Sequence, residues 1–150
     1  MNMSGLVIDN SAMRVEIMLA MWDAHMEVDS ERELAEQYGL DFELFKKKNE
    51  ENEVIGVSVG GEIAGGAIVG NRRMHIAIKK IFRASWMVYF KRLMNNVFDR
   101  YGSPLSTSAS IKNVDAIRFL GRVGCVLVKK DEVLAHYMIV REEMYYGRNR

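Results

Sequence analysis

The chain has 150 residues, 49% of them hydrophobic, with 21 basic against 20 acidic side chains and a formal net charge of +1. That size and apolar content fit one compact domain, residues 1–150, and the balanced charge argues against non-specific nucleic-acid binding. No segment is an uninterrupted apolar span and no basic-then-apolar leader opens the chain, so neither a membrane protein nor a secreted one is expected. Cys125 is the only cysteine, which rules out an intramolecular disulfide and suits a reducing, intracellular setting. It follows a glycine in the apolar run Cys125-Val-Leu-Val128 and reads as a buried, inert thiol. His25, His75 and His136 lack metal-ligand spacing, so no structural metal is expected.

Leu6-Val-Ile8 reads as a short first strand. Val15, Met18, Leu19, Trp22 and Met26 then trace one face of a helix over Ser11 to His25. Ser30 followed by Glu33 has capping-box spacing and predicts a second helix stopping at Gly39, and Asp41 opens a further helical turn through Lys48. The charged run Asn49 to Glu53 reads as a solvated connection. Val54 to Val59 and Ile63 to Val69 flank Gly60-Gly61-Glu62, the composition of a hairpin, and Met74 to Ile78 forms a third strand.

Met87, Phe90, Met94, Val97, Phe98 and Tyr101 mark a long helix ending near Gly102. Leu105, Thr107, Ala109 and Ile111 alternate with serines as a half-buried strand. A complete short helix follows: Asn113 caps it, Asp115 suits its positive start, Ala116, Phe119, Leu120 and Val123 share one face, and Gly124 stops it. Cys125 to Val128, a turn over Lys129 to Glu132, and Val133 to Val140 complete an antiparallel pair, and a frayed tail is expected from about Tyr146. The order is β-α-α-β-β-β-α-β-α-β-β.

The stretch from Asn113 to Cys125 resembles the final helix of the GNAT superfamily of acetyl-CoA-dependent N-acetyltransferases, where the pattern is Asn-x-x-Ala-x-x-x-Tyr-x-x-x-Gly-Phe. Gly60-Gly-Glu-Ile-Ala-Gly65 is similar to the family's second hairpin, and the element order matches over essentially the whole chain. The resemblance implies an α/β fold of GNAT type, with a central, mostly antiparallel sheet flanked by helices. It also implies acetyl-CoA as cofactor, its pyrophosphate held by backbone amides of a loop of type Arg/Gln-x-x-Gly-x-Gly/Ala. Glycine there allows close approach of the phosphate to the backbone. The matching stretch runs from Lys79 to Val88; Arg83 aligns with the loop arginine, but Ala84, Trp86 and Val88 stand where glycines are usual. Trp86 is expected to fill the phosphate cradle. Lys79, Lys80 and Arg83, with Ala84, Ser85 and Asn113, are the cofactor contacts the resemblance implies; the competing reading is a solvated basic rim.

The family reprotonates the CoA thiolate with a tyrosine, and Leu120 stands at that position, where it has no proton to give. Tyr101, Tyr137 and the serines between Ser106 and Ser110 are the possible substitutes. His75, on the strand nearest the cleft, and Glu27, beside His25 in an acceptor-facing region of the family, are the catalytic candidates. Against these stand a hydrogen-bonded strand histidine and a charged helix end.

A narrower resemblance links Phe82 to Gly124, including Asp99-Arg-Tyr101, to small GNAT-related proteins of tailed bacteriophages, among them an internal-virion or assembly protein of T7-like podoviruses. It implies a phage protein in the host cytoplasm, or packaged in the virion, that binds a phage or host protein without catalysis; a homo-oligomer is a separate partner expectation. In that reading Trp86, Tyr89 and Phe90 offer exposed members of a protein-contact surface. The alternative is a divergent acetyl-CoA-dependent N-acetyltransferase acting on an amine.

Overall fold

A computed structural model of the protein describes residues 5–7 and 11–146. Within them the chain runs β1 (Gly5–Val7), α1 (Ser11–Met26), α2 (Asp29–Gln37), α3 (Phe42–Lys48), β2 (Glu53–Val59), β3 (Glu62–Gly70) and β4 (Arg73–Ile78). It continues through α4 (Trp86–Tyr101), β5 (Leu105–Ser110), α5 (Val114–Arg122), β6 (Val126–Lys130) and β7 (Leu134–Ile139), with 3₁₀ turns at Lys80–Ser85 and Arg141–Glu143. Ile8 of the expected first strand and residues 147–150 of the expected tail lie outside the described residues. Tyr146 is packed rather than frayed, its ring 5.9 Å from that of Phe90.

The strands form one sheet in the order β1-β2-β3-β4-β5-β7-β6. Every pairing is antiparallel except β4 with β5. Gly60 and Gly61, at φ 61° and 85°, supply the two left-handed residues that a two-residue hairpin between β2 and β3 requires. Asn71 and Arg72 make the same kind of turn before β4 with φ 50° and 58°. Arg72 is a poor residue for that conformation. Its guanidinium donates to the Pro104 carbonyl at 3.0 Å and so ties the turn to the approach to β5.

The helices sit on both faces. On one, Ile17, Met18, Met21 and Ala24 of α1 pack against Val54, Ile68 and Ala77. On the other, Phe90, Leu93, Met94 and Val97 of α4 pack against Ile55, Val57, Val69 and Met74. α5 closes the far half through Leu120, buried with Ala135 and Tyr137. Asn113 caps α5 by accepting the Ala116 N–H at 3.2 Å, and Gly124, at φ 92°, follows its end.

Three expectations need correction. The capping box at Ser30 does not form: α2 starts at Asp29, Val28 is its cap residue, and Ser30 Oγ is buried without a hydrogen-bond partner. Arg32 holds the corner instead, donating to Asp29 at 2.6 Å and to the Met26 carbonyl at 2.8 Å. Trp86 and Phe90 are not a contact surface; they are 6% and 1% exposed, their rings 5.9 Å apart inside the core. Lys129 and Lys130 belong to β6, so the last turn begins at Asp131, whose carboxylate accepts the Val133 and Leu134 N–H groups at 2.8 Å.

Candidate functional site

β4 and β5 share a single register pair, Arg73 with Ser106. Beyond it β4 stays beside β3 while β5 stays beside β7, so the sheet opens into a cleft between the two parallel strands. Strand alternation sends Met74 and Ile76 to the α4 core and His75 to the α1 side. There Arg73 reaches along the opening to donate to Ser108 Oγ at 3.2 Å.

His75 meets His25 from the last turn of α1. The rings are stacked, 4.5 Å apart at 19°, and their Nε2 atoms share a hydrogen bond. Such a contact needs one Nε2–H and one bare Nε2, so the two imidazoles hold opposite tautomers. Phe45 of α3 presses edge-on against His25 at 6.3 Å. Apolar surroundings lower the His25 pKa to about 4 and, with His25 and Arg73 nearby against the opposing pull of Glu31, that of His75 to about 3. Both rings are neutral at pH 7. They line a groove of about 1030 Å³ between the first three helices and the turn after β6, with Trp22, Glu31, Tyr38, Phe45 and Asp131 among its walls. Asp131 is held down to about 2 by the two backbone N–H groups of its turn and by His136.

Glu27, just past α1, does not reach the histidines. Its carboxylate accepts the Lys80 backbone N–H at 2.8 Å. Four residues on, Glu31 accepts Asn113 Nδ2 at 3.3 Å. The corner between α1 and α2 therefore grips both lips of the opening: the turn after β4 on one side and the start of α5 on the other. Glu31 was not singled out in the sequence, because its partner is 82 residues away and no local pattern joins them.

The turn itself departs from the glycine loop of the resembling family. Lys79 N–H is spent on the Ala64 carbonyl at 2.8 Å, and Phe82 N–H on the Lys79 carbonyl at 3.0 Å. Lys80 to Ser85 is wound as a 3₁₀ helix, which turns its amides onto carbonyls three residues back, and the Trp86 N–H reaches Arg83. Lys80, Arg83, Ala84 and Ser85 lie exposed on this turn. Trp86 fills the core and not a phosphate cradle, which corrects the expectation drawn from its position.

The hydroxyls near the cleft are also engaged. Leu120 is buried against apolar neighbours. Tyr101 donates to Glu53, whose carboxylate also accepts from Arg100. Ser106 Oγ donates to the Arg72 carbonyl, Ser108 accepts from Arg73, and Ser110 accepts the Lys112 N–H at 3.2 Å. Tyr137 is 5% exposed, and burial raises its pKa. Cys125 is pushed up to about 11 by burial, which leaves it a protonated thiol at pH 7.

Neither a protein-family model nor a curated protein matches the sequence. Solved structures do match its fold. A GNAT-family acetyltransferase from Streptococcus agalactiae superposes with a TM-score of 0.67 at 13% identity, over 92% of this chain and 95% of that one. This chain has the GNAT fold. A GCN5-related N-acetyltransferase from Rhodopseudomonas palustris gives a TM-score of 0.63 at 15% identity, covering 90% and 92% of the two chains. The ribosomal-protein-S18-alanine N-acetyltransferase from Escherichia coli covers 98% of each at a TM-score of 0.60 and 13% identity. At these identities the likeness is one of fold. No helix among the described residues is long and apolar enough to cross a membrane.

The residues of the turn do not fit the backbone mode of holding acetyl-CoA that the resemblance implies. Amides of Lys79, Lys80, Phe82 and Trp86 are already bonded, and what the turn presents outward is a cationic rim of Lys80 and Arg83.

Proposed function

We propose that this GNAT-fold protein works by binding and does not transfer acetyl groups. The observation that carries this reading is the closed turn after β4. Glu27 sits on the Lys80 N–H, the Phe82 N–H donates to the Lys79 carbonyl and the Trp86 N–H to that of Arg83, where a phosphate would need free donors. The apolar, buried Leu120 at the expected proton-donor position supports it further. The test is titration with acetyl-CoA. A ligand at 100 times its Kd raises stability by about 2.7 kcal/mol, so binding in the micromolar range produces a clear thermal shift at millimolar concentration. The expected results are no shift and no release of free CoA with a broad panel of amines. A shift together with turnover overturns the reading.

The narrower identity, a phage protein that binds a phage or host partner and travels in the virion or remains in the host cytoplasm, rests on the sequence resemblance alone. Mass spectrometry of purified particles checks it.

One feature favours the alternative, an N-acetyltransferase acting on an amine: two neutral imidazoles line a large groove beside the cleft. If that reading holds, His75→Gln abolishes amine-dependent CoA release while leaving acetyl-CoA binding intact.

A further inference from the structure

His25 and His75 stand 50 residues apart in the chain, and the fold turns the Nε2 atoms of both rings toward one point. The last turn of α1 carries His25 there and β4 carries His75. These two elements are fixed to each other through the core that Met21 and Ala24 share with Ala77. Phe45 backs the His25 ring at 6.3 Å. Two imidazole nitrogens that face one another can share a proton or share a metal ion, and the two arrangements lie close in space. Nitrogens bound to one zinc-like ion at about 2.0–2.1 Å and spread at a tetrahedral angle stand about 3.3 Å apart. Moving each ring by about half an ångström or less turns the hydrogen-bonded pair into the ligating one.

The surroundings suit a cation. Both rings line the groove beside the cleft, whose walls also carry the carboxylates of Glu31, Asp131 and Glu132 against one ammonium, that of Lys48. Glu31 favours positive charge at His75, and Arg73 opposes it while donating to Ser108. No third imidazole, thiolate or carboxylate among the described residues completes a ligand set with the pair. Two positions of a tetrahedron are therefore left for water, or for an oxygen atom of a molecule lying in the groove. A site with two protein ligands holds its ion reversibly, unlike a structural zinc with four. Imidazole ligands also select late first-row divalent ions over Mg²⁺ and Ca²⁺, which take oxygen.

We propose that His25 and His75 form a two-histidine site for a zinc-like divalent cation at the wall of this groove. On binding, the Nε2–H···Nε2 hydrogen bond breaks, its proton passes to Nδ1 of the same ring, and two Nε2–metal bonds form. Nothing is oxidised or reduced, and both rings ligate as neutral imidazoles. The site makes no use of the amides in the turn after β4, so it stands whether or not that turn accepts acetyl-CoA. Spacing along the chain carries no sign of it, because each ligand comes from a different element.

Calorimetric titration of Zn²⁺ into the tag-free full chain, stripped with EDTA and dialysed, tests this. The expected result is one equivalent bound in the micromolar range, with a raised melting temperature that Mg²⁺ does not reproduce. In histidine-ring NMR spectra, the signals of His25 and His75 should shift on adding Zn²⁺ while those of His136 stay put, a readout that needs no substitution. His25→Gln and His75→Gln should each weaken binding by more than the roughly 10- to 100-fold that loss of a group supporting a metal ligand costs. His136→Gln should bind as the wild type does. Absence of the one-equivalent step, binding that survives both His25→Gln and His75→Gln, or binding lost with His136→Gln, which would place the ion at the Asp131 turn, overturns the proposal.

Discussion

Glu27 accepts the backbone N–H of Lys80 across 53 residues of sequence, and this contact joins the corner after α1 to the turn after β4. The bond is exposed, so replacing Glu27 with Ala should cost about 0.5–1.5 kcal/mol, the range of a net hydrogen bond. Glu27→Gln retains an acceptor and should cost less. Urea midpoints of the two variants measure the difference. Acetyl-CoA should still give no thermal shift with Glu27→Ala, because the amides from Phe82 onward remain bonded within the turn; a shift confined to that variant would make Glu27 a plug over a working site.

The histidine pair sets a pH dependence. His25 and His75 stay neutral in the folded protein down to about pH 4 and pH 3, while in the unfolded chain both take protons below about 6.5. In that window the unfolded state binds more protons, so stability is full above pH 6.5 and falls as pH drops toward 4 and then 3. The slope should be on the order of 1 kcal/mol per pH unit for each ring. Denaturation at pH 7, 6, 5 and 4 reads it directly. The double variant His25→Gln, His75→Gln should flatten the curve between pH 6.5 and 4, and an unaltered slope would assign the effect to carboxylates elsewhere.

Asn113 has two partners that separate by mutation. Its Oδ1 caps α5 at Ala116, and its Nδ2 donates to Glu31. Asn113→Asp keeps the cap but faces one carboxylate with another, whereas Asn113→Ala loses both bonds. Loss of the cap should cost about 1 kcal/mol. The repulsion introduced by Asn113→Asp should be relieved in the double variant with Glu31→Gln, a coupling that a thermodynamic cycle detects.

Gly65 and Gly60 offer a paired test of the hairpin. Gly65 has φ 152° and no room for a Cβ, which would run into the Ala77 carbonyl of β4; Gly60 has φ 61° with open space around it. Gly65→Ala should therefore lose about 2–4 kcal/mol, as strained or overpacked sites do. Gly60→Ala meets only the left-handed backbone penalty of about 1–2 kcal/mol, and Gly60→Asn less still. Equal losses at the two positions would mean that close approach of the neighbouring strand is not what makes Gly65 a glycine.

What the sequence declared was chiefly local. α5 was readable because Asn113, the apolar spacing to Val123 and Gly124 all lie within one short segment, and the β2–β3 hairpin because Gly60-Gly61 sits between two apolar runs. Ser30 and Glu33 misled for a related reason. Capping spacing reports only on its two end residues, and the guanidinium of Arg32, which lies between them, took over the corner by reaching back to Asp29 and Met26. The 3₁₀ winding that carries Trp86 inward leaves no periodic signature, so a residue aligned with a phosphate loop was read as lining it. The site depends on contacts between residues far apart in sequence. His25 and His75 are 50 residues apart, and Glu31 and Asn113 are 82 apart; neither pairing follows from spacing.

The lone Arg73–Ser106 pair between β4 and β5 also bears on how the molecule comes apart. Each half of the sheet is knitted by antiparallel neighbours, β1 through β4 on one side and β5 through β7 on the other, and backbone ladder bonds scarcely cross the seam. The halves are joined instead by α4, whose core includes Leu105 and Ile139 from one and Ile55, Val69 and Met74 from the other. Side-chain packing thus supplies the cohesion that a continuous ladder would give elsewhere. Under native conditions the β5–α5–β6–β7 module should open as a unit at a lower free energy than the meander, visible as a common exchange rate for its slow amides. A core substitution such as Phe98→Leu should weaken communication between the two modules more than it weakens either one.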